Sequence, residues 1–186
     1  GSGIHFAGSY NGQAQQLVLE DEFGRVNIFL LPFLKPAVVK HWAPEEAAAE
    51  ITCYHDAVKY AVSQLQLAQD ERNVLVAHQF VTGAVTAGSE AVNVGGLDNI
   101  GAEVFAAFDY VALGHIHKHE ILCEKPYIVY AGNPQGLDCT ETGPRGCYYV
   151  EVGPYGTTNI EFVDTSIVRW ESIDIAIDGL ESVSEL

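Results

Sequence analysis

Short apolar runs alternate with acid- and glycine-rich turns along most of this chain, and the spacing of those runs predicts a mixed succession of strands and helices. Ile4 through Gly8 predicts a short strand at the start. Leu17-Val18-Leu19 and Val26 through Leu31 flank Asp21-Glu22-Phe23-Gly24-Arg25, a pattern that predicts a hairpin. Pro32 and Pro36 then break the chain. Ala43 through Leu67 predicts one long helix: Pro44, Glu45 and Glu46 suit a helix start, and Ile51, Tyr54, Val58, Ala61, Val62 and Leu65 recur every three or four positions to give one apolar face. A buried strand, Val74 to Ala77, follows, and helix followed by buried strand indicates an α/β unit.

Val81 to Asn99, rich in glycine, alanine, threonine and serine, predicts a loop. A short helix is expected over Ile100 to Phe108. Strands are expected at Tyr110 to Leu113 and at Tyr127 to Ala131, the second stopped by Gly132-Asn133-Pro134. Cys147 to Val152 and Asn159 to Val163, around Gly153-Pro154-Tyr155-Gly156, predict a second hairpin. Ser172 to Ile177 alternates as a half-buried strand does, and 178–186 reads as a connector.

Composition narrows the class. At 186 residues and 48 % apolar, the chain can build one sizeable globular core, and no apolar run approaches the roughly 20 residues needed to span a bilayer. No basic, apolar leader is visible, so a cytoplasmic protein without membrane attachment is expected. The absence of methionine suggests an excised segment of a longer protein. Cys53, Cys123, Cys139 and Cys147 lie far apart with no CxxC, which predicts reduced thiols rather than a disulfide framework or zinc ribbon. A net charge of −16 disfavours a broad electrostatic surface for nucleic acid, though not a nuclease whose metal ions face the phosphate. The acidic residues show no EF-hand spacing and read as a solvated surface.

The chemistry concentrates at two strand ends. The Val74 run closes on His78, and the Tyr110 run closes on Gly114-His115-Ile116-His117. Open α/β sheets bind ligands in the crevice beyond the carboxyl ends of their strands, and neutral imidazole offers a directed lone pair to a metal. His78, His115 and His117 are therefore the candidate metal ligands. His119 is expected to face solvent or cap the loop, and His5, His41 and His55 to be structural or exposed. Gly132-Asn133-Pro134 either shapes a substrate cleft, making Asn133 a candidate substrate contact, or simply ends a strand. Gly95-Gly96 either brings the preceding loop close to the site or punctuates it.

Asn73 to Phe80, Gly114 to Lys118, and Tyr130 to Pro134 with Gly146 to Val152 together resemble the later motifs of calcineurin-like metallophosphoesterases, most closely the SbcD-type nuclease subunit of bacterial DNA repair complexes. The resemblance covers most of residues 3–165. It implies an α/β fold: a partial metallophosphoesterase sandwich of mixed sheets flanked by helices, with a β-rich carboxyl-terminal segment leading into a cap domain. The implied domains are 1–165, the carboxyl-terminal portion of the phosphoesterase domain, and 166–186, the start of the cap domain or a linker.

By the same resemblance, His78 and His115 would serve one divalent cation and His117 a second, both most commonly Mn²⁺ in the intact protein. The family's early motifs (Asp-x-His, Gly-Asp-x-x-Asp, Gly-Asn-His-Asp) are absent from this sequence, so its bridging carboxylate and protonating histidine are expected upstream of residue 1. The resemblance further implies DNA as substrate, an SbcC-type ATPase as partner and a homodimer, with the segment alone inactive. Two other readings stay open at this point: a different phosphodiesterase on the same scaffold, or a non-catalytic module that binds a partner through the β-rich tail.

Overall fold

A computed structural model describes residues 3–82 and 99–174. The element order is β1 (Gln15–Asp21), β2 (Gly24–Leu31), α1 (Pro36–Trp42), α2 (Glu45–Glu50), α3 (Tyr54–Ser63), β3 (Arg72–His78), β4 (Tyr110–Gly114), β5 (Glu120–Glu124), β6 (Tyr127–Tyr130), β7 (Gly146–Gly153) and β8 (Gly156–Asp164). A 3-10 turn, Ala102–Phe105, precedes β4. The chain is thus mixed α/β, with a six-stranded mixed sheet in the order β1-β2-β3-β4-β6-β5 and a separate hairpin, β7-β8. β2, β3, β4 and β6 run parallel; β1 and β5 are antiparallel at the edges.

Alternation along the parallel strands explains the layering. Phe29 and Leu31, Leu75 and Ala77, Val111 and Leu113, and Ile128 and Tyr130 are all buried. They pack against Val39, Ile51, Ala57, Val58, Ala61 and Val62 from the helices in one apolar core. Side chains alternate faces at period two, so Val74, Val76 and His78 share the opposite face of β3. The burial of Leu75 and Ala77 pins that register: a slip by one residue would bring His78 into the core and turn the apolar pair out.

Arg72, at the start of β3, ties three parts together. Its guanidinium donates to the Asp21 carboxylate and, at 2.8 Å, to the Gly24 carbonyl in the β1–β2 turn, and at 3.0 Å to the Val152 carbonyl of the hairpin. That contact holds the Asp21 carboxyl below the usual carboxylate range. Thr157 adds a second tie, its hydroxyl donating to the Asp109 carbonyl at 3.0 Å.

Both expected hairpins form, as do the strands ending at His78 and before His115. Other expectations are corrected. Ile4 to Gly8 is not a strand; Ile4 and Phe6 are 65 % and 81 % exposed. The long helix is two: Ile51 to Cys53 is extended, because Asp56 draws the Thr52 and Cys53 backbone N–H groups and the Thr52 hydroxyl into a fresh helix start. Those bonds lower the Asp56 pKa to about 2. Pro36 does not break structure but opens α1, where its fixed φ and missing N–H suit the first helical position.

The expected helix before β4 is reduced to the 3-10 turn. The edge strand β5, Glu120–Glu124, adds to the expected strands. Residues 172–174 form no strand, with Ile173 80 % exposed, while 175–177, the connector 178–186 and Gly95-Gly96 lie outside the described residues. All four cysteines are free thiols. Among the described residues no helix is long and apolar enough to cross a membrane.

Candidate metal centre

His78 and Gly114 are register partners at the carboxyl ends of the neighbouring parallel strands β3 and β4. This brings the two imidazoles that follow from them into contact. His115 Nδ1 lies 3.4 Å from His78 Nε2, and the rings meet edge to face at 5.3 Å between centroids. Two nitrogens bound at tetrahedral angles to one zinc ion, at about 2.0–2.1 Å each, would stand about 3.3–3.4 Å apart. The pair therefore has the spacing of two donors to a single ion, and is at the long limit for a direct hydrogen bond.

Close backbone approach and aromatic packing produce that spacing. A Cβ on Gly114 would come within 2.9 Å of His78 Nδ1, so glycine leaves the space that the His78 ring uses. His115 has φ of +108°, a region that non-glycine residues occupy at a cost of about 1–3 kcal/mol and that recurs at functional sites. Phe33 stacks on the His115 ring at 6.0 Å and 10° and meets His78 edge-on, while Phe80 meets His115 from another side. Desolvation, followed by the charges of His115 and His117, holds His78 below the usual histidine range although part of the residue is exposed. The chain leaving His78 is fixed by Tyr130, whose buried hydroxyl donates to the Gln79 carbonyl at 2.6 Å and accepts from the Val81 N–H at 2.8 Å. Burial pushes the Tyr130 phenol far up.

His117 is held differently. Its Nδ1 lies 2.6 Å from Oε1 of Glu141, whose side chain is fully buried. Oε2 of the same carboxylate accepts from Asn133 Nδ2 at 3.2 Å and from the Leu137 N–H at 3.0 Å. The His117 carbonyl accepts from the Asn133 N–H at 2.9 Å and from the buried Arg145 guanidinium at 2.5 Å. Gly132, at φ +76°, allows this approach: a Cβ there would lie 2.7 Å from the His117 carbonyl oxygen and the His119 nitrogen.

Of the sequence-derived candidates, His78 and His115 are thus brought together, while the His117 ring meets Glu141. Among the described residues no group of three or more His, Cys, Asp or Glu side chains is disposed to hold a metal ion. Imidazole suits zinc as well as other transition ions; Mn²⁺ calls for added oxygen donors. Asn133 is engaged with Glu141 through its side chain.

The His119 ring stacks on Phe162 at 3.9 Å, which joins the histidine segment to β8. His41 is exposed on α1, and His55 Nδ1 accepts from the Gly101 N–H at 3.2 Å. Sequence reasoning missed Phe33, Glu141, Arg145 and the Tyr130 hydroxyl. Glu141 lies in the polar stretch Asp138 to Gly143, which gives no local sign of its burial. No protein-family model matches this chain.

Proposed function

We propose that this chain is the carboxyl-terminal part of a calcineurin-like metallophosphoesterase domain of the SbcD nuclease type, one that hydrolyses DNA phosphodiesters with two divalent cations. The observation that carries the reading is the His78–His115 pair, two ring nitrogens 3.4 Å apart at the carboxyl ends of adjacent parallel strands. A carboxylate-paired third imidazole, His117, follows in the same loop.

When bound, two such cations supply a clamp on the attacking and leaving oxygens of an in-line displacement. The chain's own residues perform the holding. His78 and His115 present neighbouring ring nitrogens, Phe33 packs against both rings and Phe80 against His115, and Glu141 with Arg145 holds His117. By the same reading, residues 166–186 lead into a cap domain, and the complete protein dimerises and works with an SbcC-type ATPase. The net charge of −16 assigns most of the grip on DNA to surfaces outside this chain.

The test is hydrolysis of linear DNA in Mn²⁺ by a protein extended to carry the amino-terminal motifs. His115→Ala and His117→Ala should each lower the rate by at least about a hundredfold, since even partners of metal ligands contribute 10–100-fold. The 186-residue chain alone should cleave weakly or not at all. Robust Mn²⁺-dependent cleavage by that chain, or full activity of both variants, contradicts the reading.

A further inference from the structure

The segment that follows β8 is bound to the loop 133–145 by hydrogen bonds, while its own apolar side chains turn to solvent: Ile167 and Val168 are 93 % and 56 % exposed. The Thr165 N–H donates to the Arg145 carbonyl at 2.9 Å, and the Thr165 hydroxyl donates to the Pro134 carbonyl at 3.0 Å. One residue thus grips both ends of the loop. Neighbouring bonds reinforce the grip. The Arg145 N–H donates to the Ser166 hydroxyl at 3.0 Å, the Asp164 carboxylate accepts from the Ser166 N–H at 3.0 Å, and Oε1 of Gln135 accepts from the Ile167 N–H at 3.1 Å. Gly136 lets Trp170 approach the same loop, since a Cβ there would lie 3.0 Å from Trp170 Cδ1.

The same two loop ends hold His117. The Asn133 N–H at one end and the Arg145 guanidinium at the other both donate to the His117 carbonyl. Arg145 therefore faces two ways: its backbone is bonded to Thr165 and Ser166, and its side chain to the histidine segment. Holding the ends of a loop together has an entropic cost, so a residue that bonds to both ends restricts every group the loop carries.

We propose that Thr165 is a positioning residue: by clasping Pro134 to Arg145 it sets where the two donors meet the His117 carbonyl, and so the backbone from which the His117 ring projects. The clasp stands on these bonds alone; its bearing on hydrolysis rests on the phosphoesterase reading. A segment with few buried apolar contacts and exposed hydrogen bonds opens locally at low free energy. Opening of the clasp is the local motion that loosens His117 while the sheet stays intact.

Amide hydrogen exchange of the 186-residue chain tests the clasp. Thr165 is exposed, so Thr165→Val removes the hydroxyl with little loss of packing, and Thr165→Ser keeps it. T165V should speed exchange of the Asn133 N–H at least about fivefold, the scale of one lost hydrogen bond. T165S should leave that rate close to the parent's, and the amides of β3 and β6 should not change in either variant. In the protein extended to carry the amino-terminal motifs, T165V should lower kcat at least about threefold with KM unchanged, and T165S should restore it. An Asn133 N–H unmoved by T165V overturns the clasp. So does equal acceleration in β3 and β6, which would make the effect one of global stability. A parental kcat in T165V despite faster Asn133 exchange overturns the positioning role. An extended parent that does not hydrolyse DNA overturns the phosphoesterase reading, and the exchange rates still decide the clasp.

Discussion

His78 and His115 stand at the ends of β3 and β4 with their rings framed by aromatic faces, whereas His117, two positions further on, is held by a buried carboxylate and a buried guanidinium. The first pair is oriented by packing and by backbone register. The third imidazole is oriented by hydrogen bonds that leave its carboxylate partner no exposed surface. Packing fixes where a ring lies but not which nitrogen bears the proton; a buried acceptor fixes both. The two halves of the cluster should therefore respond to substitution in different ways.

The largest contrast is in stability. Glu141→Ala leaves the Asn133 amide, the Leu137 N–H and the His117 Nδ1 without their carboxylate partner, and unmade hydrogen bonds in a buried setting cost about 1–3 kcal/mol each before relaxation. A loss of about 3 kcal/mol is expected, read from urea denaturation. His78→Ala, at a partly exposed strand end, should cost less than about 1 kcal/mol. Equal losses would mean that the halves are not held differently.

A smaller effect sharpens the same point on the backbone. His115 sits at φ +108°, so glycine there should be more stable than alanine by about 1 kcal/mol, the reverse of the usual order. Alanine being the more stable would show that the conformation carries no strain.

The smallest effect is pH-dependent. His78 has a folded-state pKa below the unfolded value of about 6.5, through desolvation and then the charges of His115 and His117. As pH falls the unfolded chain takes up the proton first. The contribution of His78 is thus fully present above about pH 6.5 and is lost as pH drops through the folded value. Replacing His78 by Gln should flatten that part of the stability–pH profile, and an unchanged slope would assign it to another group.

The legible parts of the fold are those that local pattern controls. Strand ends at His78 and Gly114 follow from the apolar runs before them, and both hairpins from turn residues between such runs. The break at Ile51 to Cys53 was hidden because Ile51 and Val58 stay on the apolar face on either side of it; only the Asp56 cap discloses a second helix start. In the site, the three imidazoles were visible as residue types at strand ends. Glu141 was not, since its burial is created by contacts 24 residues away in sequence, and nothing in Asp138 to Gly143 distinguishes it from surface acids. Phe33 was equally hidden: its stacking on His115 depends on β2 and β4 ending at the same edge of the sheet.

The central claim, that His78, His115 and His117 turn toward a common cluster of divalent cations, is most directly tested by adding substoichiometric Mn²⁺ and following the histidine ring signals. Those of the three residues should broaden first, while His5 and His41 stay sharp. Broadening led by His5 or His41, or shared evenly among all the histidines, would contradict it.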